Sequence, residues 1–359
     1  MAAFTTIDDP SAYFKVQLYT GNGAANNAIT FDDTDTNMQP DIVWIKNRDA
    51  TDSHCFFDSV RGATKLLHPD TTGTETTDTD TLDSFTSDGF QVDADVKVNT
   101  NTEKYVAWCW KAGTTSGIDA TGAGYTPSAY SFNQTAGISI IKYTTTGTST
   151  GTDDTKVAHG LGAVPHFMVF KYMGALTSEQ WCAYHHKNTD APETDMLTLN
   201  DTYATRDEQN RWSDEAPGSV LVTFGNNKEV NNEDQHLGLL FSEKQGFSKF
   251  GGYTGNGNAD GTFVYTGFRP AFVICKRTSG TDDWMLLDNK RLGYNPDNNP
   301  IFPNGGGTSS TVDVMDILSN GFKLRASSTD INGAASTYIY IAFAEAPFVN
   351  SNGVPCNAR

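Results

Sequence analysis

Short runs of apolar residues, separated by turn-forming residues, extend along the whole chain. The runs at 42–45 and 339–343 are typical, with four or five apolar residues in succession between polar clusters rich in Thr, Asn, Asp and Gly. Runs of this length suit strands better than helices, and β-branched Thr favours the same state. A short helix is plausible only over 195–212, where the apolar spacing is poor. The pattern predicts an all-β protein.

One motif occurs three times: a proline, any residue, four apolar residues and a lysine. It occupies residues 40–46, 165–171 and 270–276. The flanking sequences also recur, because a Tyr-Thr pair precedes each copy and an aromatic run follows it. The repetition indicates three copies of one domain of about 100–120 residues, which is an ordinary domain size.

The repeated apolar run predicts a strand that is covered on both faces, because a strand with one wet face alternates apolar and polar residues. The closing lysine is expected where that strand emerges into water. These strands are therefore expected to be framework, and their aromatic residues are not expected to form a site. The predicted core positions are Trp44, Lys46, Phe170, Lys171, Ile274 and Lys276.

The repeats predict three tandem β-sandwich domains of jelly-roll or concanavalin-like type. The first spans 1–112 and is followed by a linker of small residues at 113–131. The second, 132–246, has diverged from the others. The third spans 247–359 and includes a polar C-terminal tail.

Charge and composition narrow the classes of partner. The chain has 25 basic and 43 acidic residues, which gives a net charge of −18. Such a chain repels nucleic-acid phosphates and anionic membrane surfaces, so neither is expected as a partner. No apolar stretch approaches the roughly 18 residues that a membrane helix needs, and no signal peptide is expected. The five cysteines are widely spaced and lack a CxxC pair, which argues against a disulfide framework or a zinc site.

Two kinds of ligand site can be considered from the residues. Asp33, Asp35 and Asn37 have the alternating oxygen ligands of a calcium loop, but the glycine and the final glutamate of that loop are missing. No other cofactor is expected. Glycan binding uses aromatic rings beside amide or carboxylate groups, and the candidates are Trp110, Trp212, Tyr294 and Asn295. The alternative for these aromatic residues is packing at an interface between domains or subunits.

No catalytic constellation is visible. His54 lies beside Cys55, and His185 lies beside His186. Adjacent residues on a strand point to opposite faces, so neither pair can easily act on one substrate or metal ion. No glutamate recurs at a matched core position of all three repeats. The protein is predicted not to be an enzyme.

The opening segment 4–14, the Tyr-Thr-Gly-Asn-Gly runs at 19–23 and 253–257, and the closing segment 341–348 carry a resemblance. The chain resembles virion-associated proteins of tailed phages that infect marine bacteria and cyanobacteria, a family usually described as tail-associated, fibre-like or concanavalin-like. The resemblance covers most of the chain and is weakest in the second repeat. It implies a jelly-roll-like β-sandwich fold and a place on the particle surface.

On this basis we expect a non-enzymatic structural protein of the phage tail or tail fibre, with host-surface glycan as a candidate attachment target. Its expected partners are other virion proteins and further copies of itself, with a trimer favoured. Two alternatives stay open: a capsid decoration or head-fibre protein, and a glycan depolymerase.

Overall fold

A computed structural model describes residues 5–33, 36–147, 155–291, 295 and 299–356. Over these residues the protein is all-β, as the sequence predicts. The two α-helices of this part have four residues each, and short 3-10 turns lie at Pro10–Ala12 and Pro192–Thr194. Neither α-helix in the described ranges is long enough to cross a membrane.

The strands are numbered in chain order. The first group is β1 (Phe14–Thr20), β2 (Asn27–Thr30), β3 (Ile42–Asn47), β4 (Cys55–Asp58), β5 (Lys65–Leu66), β6 (Thr76–Thr77), β7 (Leu82–Thr86), β8 (Gly89–Val92) and β9 (Lys104–Trp110), with helix α1 (Val96–Asn99) before β9. The second group is β10 (Ala129–Asn133), β11 (Ile138–Thr144), β12 (Thr155–Ala158), β13 (Phe167–Tyr172), β14 (Trp181–His185), β15 (Asp195–Thr198), β16 (Arg206–Asp207), β17 (Leu221–Phe224) and β18 (Gln235–Phe241). The third group is β19 (Ser248–Thr254), β20 (Phe263–Tyr265), β21 (Phe268–Arg277), β22 (Met285–Asp288), β23 (Met315–Leu318), β24 (Gly321–Leu324) and β25 (Thr337–Pro347), with helix α2 (Thr329–Asn332) before β25.

One arrangement of four antiparallel strands occurs three times. Sheet 1 has the order β1-β9-β3-β4, and sheet 3 has the order β19-β25-β21-β22. Sheet 2 contains the same arrangement as β11-β18-β13-β14, extended by β10 at one edge and by β15 and β16 at the other. The register matches as well, and the equivalent cross-strand pairs are Ile42–Trp110, Phe167–Phe241 and Phe272–Phe343.

Both faces of each four-stranded arrangement are buried. In β3, Ile42 and Trp44 point into a core that all three sheets share. Val43 and Ile45 point the other way, into a separate core formed with the small sheet β2-β8-β7. The central strands β13 and β21 alternate in the same manner. The prediction of a strand covered on both faces is confirmed, and each such pair of layers has the character of a β-sandwich.

The shared core is aromatic at its centre. Phe14 of sheet 1 stacks on Phe343 of sheet 3 with ring centroids 5.3 Å apart, and Phe241 of sheet 2 meets the same Phe343 edge-on at 5.8 Å. An apolar cavity of about 50 Å³ remains among these side chains, lined by residues of all three sheets. The inner faces of the three sheets therefore form one continuous hydrophobic core.

Three hydrogen bonds at equivalent positions join the sheets in a closed ring. Each donor lies at the start of the outer strand β4, β14 or β22, and each acceptor is a backbone carbonyl in the segment that follows the equivalent strand of another sheet. A donor in the first group of strands bonds to the third group, a donor in the second group bonds to the first, and a donor in the third group bonds to the second. The pairs are His54 Nε2 to Phe302 O (3.1 Å), Trp181 Nε1 to His68 O (3.0 Å) and Trp284 Nε1 to Thr198 O (2.8 Å).

The repeated lysines do not emerge into water, so that part of the prediction is wrong. Lys46, Lys171 and Lys276 are fully buried. Their ammonium groups donate to backbone carbonyls, which replace the lost water. Two of these bonds cross between sheets at 2.9 Å: Lys171 donates to Thr72 O and Lys276 to Thr202 O. Burial lowers the pKa of each of these lysines to about 8.

Two other sequence expectations need correction. The stretch 195–212 contains strands β15 and β16 instead of a helix, because Met196 and Leu197 are recruited to the edge of sheet 2. The predicted linker 113–131 is not irregular throughout. Strand β10 begins inside it at Ala129 and pairs with β11.

We expect Trp284→Phe to destabilise the protein more than Trp110→Phe does. Both changes remove the same indole atoms from the shared core. Trp284→Phe also leaves the buried Thr198 carbonyl without its donor, whereas Trp110 Nε1 has no partner among the described residues. The difference in unfolding free energy, measured by urea denaturation, should be about 1–3 kcal/mol. Equal losses of unfolding free energy in the two variants would contradict a stabilising role for the inter-sheet hydrogen bonds.

Candidate functional site

The structure corrects the glycan prediction for two of its four residues. Trp110 is 4 % exposed and lies in the shared core against Phe272 and Phe343. Trp212 is 1 % exposed and donates its Nε1 hydrogen to Asp195 O at 2.9 Å. Neither ring offers a face on which a sugar could stack. For Trp110 the alternative of packing between domains is the one that the contacts support.

Of the other two glycan candidates, only Asn295 lies within the described residues. Tyr294 lies outside the described residues. Asn295 is exposed, but its amide is bonded to strand β23: Nδ2 donates to Ile317 O at 2.7 Å, and Oδ1 accepts from Ile317 N at 2.9 Å. The Asn295 side chain thus holds its loop against β23.

The structure describes two of the three calcium candidates. Asp33 forms an ion pair with Lys15, Asn37 is exposed, and Asp35 lies outside the described residues. Across the described ranges, no group of three or more His, Cys, Asp or Glu side chains could hold a metal ion.

Three buried histidines are each fixed as one neutral tautomer. In His54, Nδ1 accepts from Trp44 Nε1 at 2.9 Å, so Nε2 carries the proton that is donated to Phe302 O. His159 and His185 are bonded in the same way, with a backbone N–H on Nδ1 and a backbone carbonyl at Nε2. Burial lowers the pKa to about 3 in His54 and His185 and to about 4 in His159.

The three junctions between neighbouring sheets differ in what fills them. Each junction lies between the two central strands of one sheet and the first strand of the four-stranded arrangement in the next sheet. That first strand is β11, β19 or β1. Between sheets 1 and 2 it is filled by β10, whose Ser131 Oγ donates to Asp41 Oδ1 at 3.2 Å. Between sheets 2 and 3 it is a cleft of about 630 Å³ beside β19, which we call the β19 cleft. Between sheets 3 and 1 it is a cleft of about 180 Å³ beside β1, which we call the β1 cleft.

The β19 cleft is the candidate functional site. His166 lies at its base and accepts a hydrogen bond from Glu243 N through Nδ1 at 3.0 Å. The Glu243 carboxylate forms an ion pair with Lys249 of β19. Tyr265 stands at the rim and is 59 % exposed. An exposed phenol ring beside hydrogen-bonding side chains can bind a ligand that carries both an apolar face and hydroxyl groups.

A second histidine, His186, packs against His166. The rings of His166 and His186 meet edge-on with centroids 4.6 Å apart. His186 Nε2 lies 2.6 Å from Phe250 O and donates to it, so the imidazole bonds to strand β19. Burial lowers the pKa of both histidines. His166 and His186 flank the β13–β14 hairpin, whereas Phe250 comes from a distant part of the chain, and no sequence pattern indicated that they meet.

The buried histidines predict a loss of stability in acid. Their folded-state pKa values of about 3–4 lie below the ordinary value of 6.5, so the unfolded chain binds more protons between these limits. Stability should therefore fall as the pH drops below about 6.5, by about 1.4 kcal/mol per pH unit for each such histidine. His159→Gln retains a donor for Gly218 O but cannot titrate. We expect its unfolding free energy to fall less steeply with decreasing pH, by about 1.4 kcal/mol per pH unit. Urea unfolding at pH 7 and pH 5 measures it, and identical slopes would refute the assignment.

A family model described as a domain of unknown function, DUF7483, matches residues 9–347. No curated protein matches the chain, and no solved structure matches it. The family match includes the ring of inter-sheet hydrogen bonds, the β1 cleft, the shared core apart from Ile7, and the β19 cleft apart from Phe348 and Val349. The chain therefore belongs to the DUF7483 family, whose function is unknown.

Proposed function

We propose that this protein is a non-enzymatic structural component of a tailed-phage virion, located in the tail or its fibres. The proposal starts from the resemblance of residues 4–14, 19–23, 253–257 and 341–348 to virion-associated phage proteins. Buried polar side chains of this protein form hydrogen bonds between its groups of strands, and this use of polar groups fits a structural role.

That use of polar groups is the observation that carries the proposal. Lys171, Lys276 and His54 are groups that enzymes often use in catalysis. Here each one donates to a backbone carbonyl in a loop that belongs to another group of strands. Four of the five cysteines are buried, and burial raises the pKa of Cys55, so its thiol is unreactive at neutral pH. This chemistry strengthens the contacts between sheets.

The proposed architecture is three tandem copies of one jelly-roll or concanavalin-like sandwich domain. The matching strand order and the matching register of the three sheets support it. On the particle, the proposed partners are other virion proteins and further copies of this chain, with a trimer favoured.

A second location, on the capsid, is favoured by one specific observation. The ring of hydrogen bonds links the three sheets cyclically around one core. A single chain built in this way matches the symmetry of a three-fold position on an icosahedral lattice. A capsid decoration or head-fibre protein would use this match at such a position.

Locating the chain on the intact particle tests the proposal. Cryo-electron microscopy of the phage that encodes it, with an antibody against the folded protein as a marker, should show label at the tail or its fibres. Label confined to the head would favour the decoration protein instead. Purified particles that lack the chain altogether would overturn a virion role.

We further propose that the β19 cleft is where a host-surface glycan binds, through Tyr265. Tyr265→Ala should then weaken the binding of the purified chain to host polysaccharide by roughly tenfold, as the loss of one stacking ring implies. Phe263→Ala is the matched control, because Phe263 lies on the same strand, is 45 % exposed and does not line the cleft. Titration monitored by NMR measures both. Equal effects of the two changes would remove the cleft from this role, and release of shortened chains from the polysaccharide would indicate a depolymerase.

A further inference from the structure

One of three equivalent sheet edges is covered by a strand, and this shows what kind of ligand such an edge accepts. Strand β10 pairs antiparallel with β11 over five residues, from Ala129 opposite Lys142 to Asn133 opposite Ile138. Strand β1 is the equivalent of β11 in sheet 1 and β19 is its equivalent in sheet 3. Both are edge strands within the part of the chain that the structure describes.

The backbone of β1 presents free hydrogen-bonding groups along this edge. Lys111 N donates to Tyr13 O, so the backbone N–H and C=O groups of the odd-numbered residues in β1 point toward β9. The backbone groups of the even-numbered residues Phe14, Val16 and Leu18 therefore point away from β9, toward the open edge. Neither the N–H nor the C=O of Val16 has a hydrogen-bond partner among the described residues. Unpaired groups of this kind are a template for another strand.

The β1 cleft has the same walls as the site that β10 fills. Around β10, the junction is formed by the residues before β3, after β4 and after β9, together with the first residues of β11. The β1 cleft is formed by their counterparts in sheets 3 and 1, and Asp33, which forms an ion pair with Lys15, lines it as well. The corresponding positions are Asp41 and Ala271, Ser59 and Asn289, Ala112 and Glu345, Ile138 and Phe14, Ser139 and Lys15, and Ile140 and Val16.

The β19 cleft is less suited to a strand, although it is larger. His186 already donates to Phe250 O on the outer edge of β19. Phe250 corresponds to Val16 in β1, because Ser248 pairs with Phe343 as Phe14 pairs with Trp110. An added strand would have to displace this imidazole, whereas the backbone of Val16 has no such contact within the described ranges. Farther along β1, Gln17 Nε2 donates to Leu18 O at 2.8 Å, so the free part of this edge lies at Val16.

We propose that the β1 cleft binds an extended strand of a partner protein, bonded antiparallel to β1 as β10 is bonded to β11. The occupant is expected to carry a small apolar residue at its centre. Ser131 occupies that place in β10 and donates to Asp41, but Ala271 stands where Asp41 would be and offers no acceptor. The inference does not depend on where the protein lies on a particle.

A synthetic peptide tests the proposal without altering the protein. The probe has the sequence of residues 127–135 with Ser131→Val, and its binding to the full chain is followed by fluorescence anisotropy. Ser131 pairs with Ile140, which faces away from β18, so the N–H at position 131 points toward the acceptor strand and that of its neighbour Tyr130 points away.

The expected result is saturable binding that depends on one face of the peptide backbone. N-methylation at position 131 should reduce the affinity by about tenfold or more, and N-methylation at position 130 should change it less than about twofold. No saturable binding at millimolar peptide, or equal effects of the two N-methyl groups, would overturn the proposal.

A photo-crosslinking peptide locates the site. With a benzophenone side chain at position 132, crosslinks should fall on residues 11–18 or on Ala271 and Asn289, which line the β1 cleft. Crosslinks confined to the β19 cleft or to β11 would contradict the assignment. Self-association of the chain that the peptide reverses would assign the groove to a second copy and overturn the partner-protein assignment.

Discussion

The structure depends on one constraint: the central strand of every sheet must be buried on both faces. A four-stranded sheet packed on its own small sheet covers only one of these faces. Ile42, Phe167 and Phe272 lie on the other face, and they are removed from water only where the three sheets meet. Because apolar burial is the main favourable term in folding, this shared core links the stability of each sheet to that of the other two.

The polar groups at the edge of this core follow from the same constraint. A buried lysine or indole must find an acceptor, and an unpaired one is costly. The acceptors available to Lys171, Trp181 and Trp284 are backbone carbonyls in segments from another sheet. These bonds therefore do more than satisfy donors: they fix which sheet lies beside which and in what order.

The second sheet shows how one arrangement can be modified without losing the core. Asp58 and Asp288 end their strands in buried ion pairs with Arg61 and Arg291. The equivalent residue of sheet 2 is His185, which donates to a carbonyl of sheet 3. Strand β10 fills the junction before this sheet, whereas the other two junctions remain open as clefts. Sheet 2 therefore differs from the other two in what fills its junction, while its central packing matches theirs.

The sequence by itself determined the all-β class and the double burial of the repeated strand, because both follow from the local order of apolar residues. It could not determine what covers the second face, since the covering residues belong to another repeat far away in the chain. For that reason Lys46 was expected in water and Trp110 at a sugar site, and both lie inside. For the same reason no sequence signal showed that His166 and Tyr265 line one cleft. Only the tertiary packing of three sheets, which brings distant residues to one junction, decided where the open clefts lie.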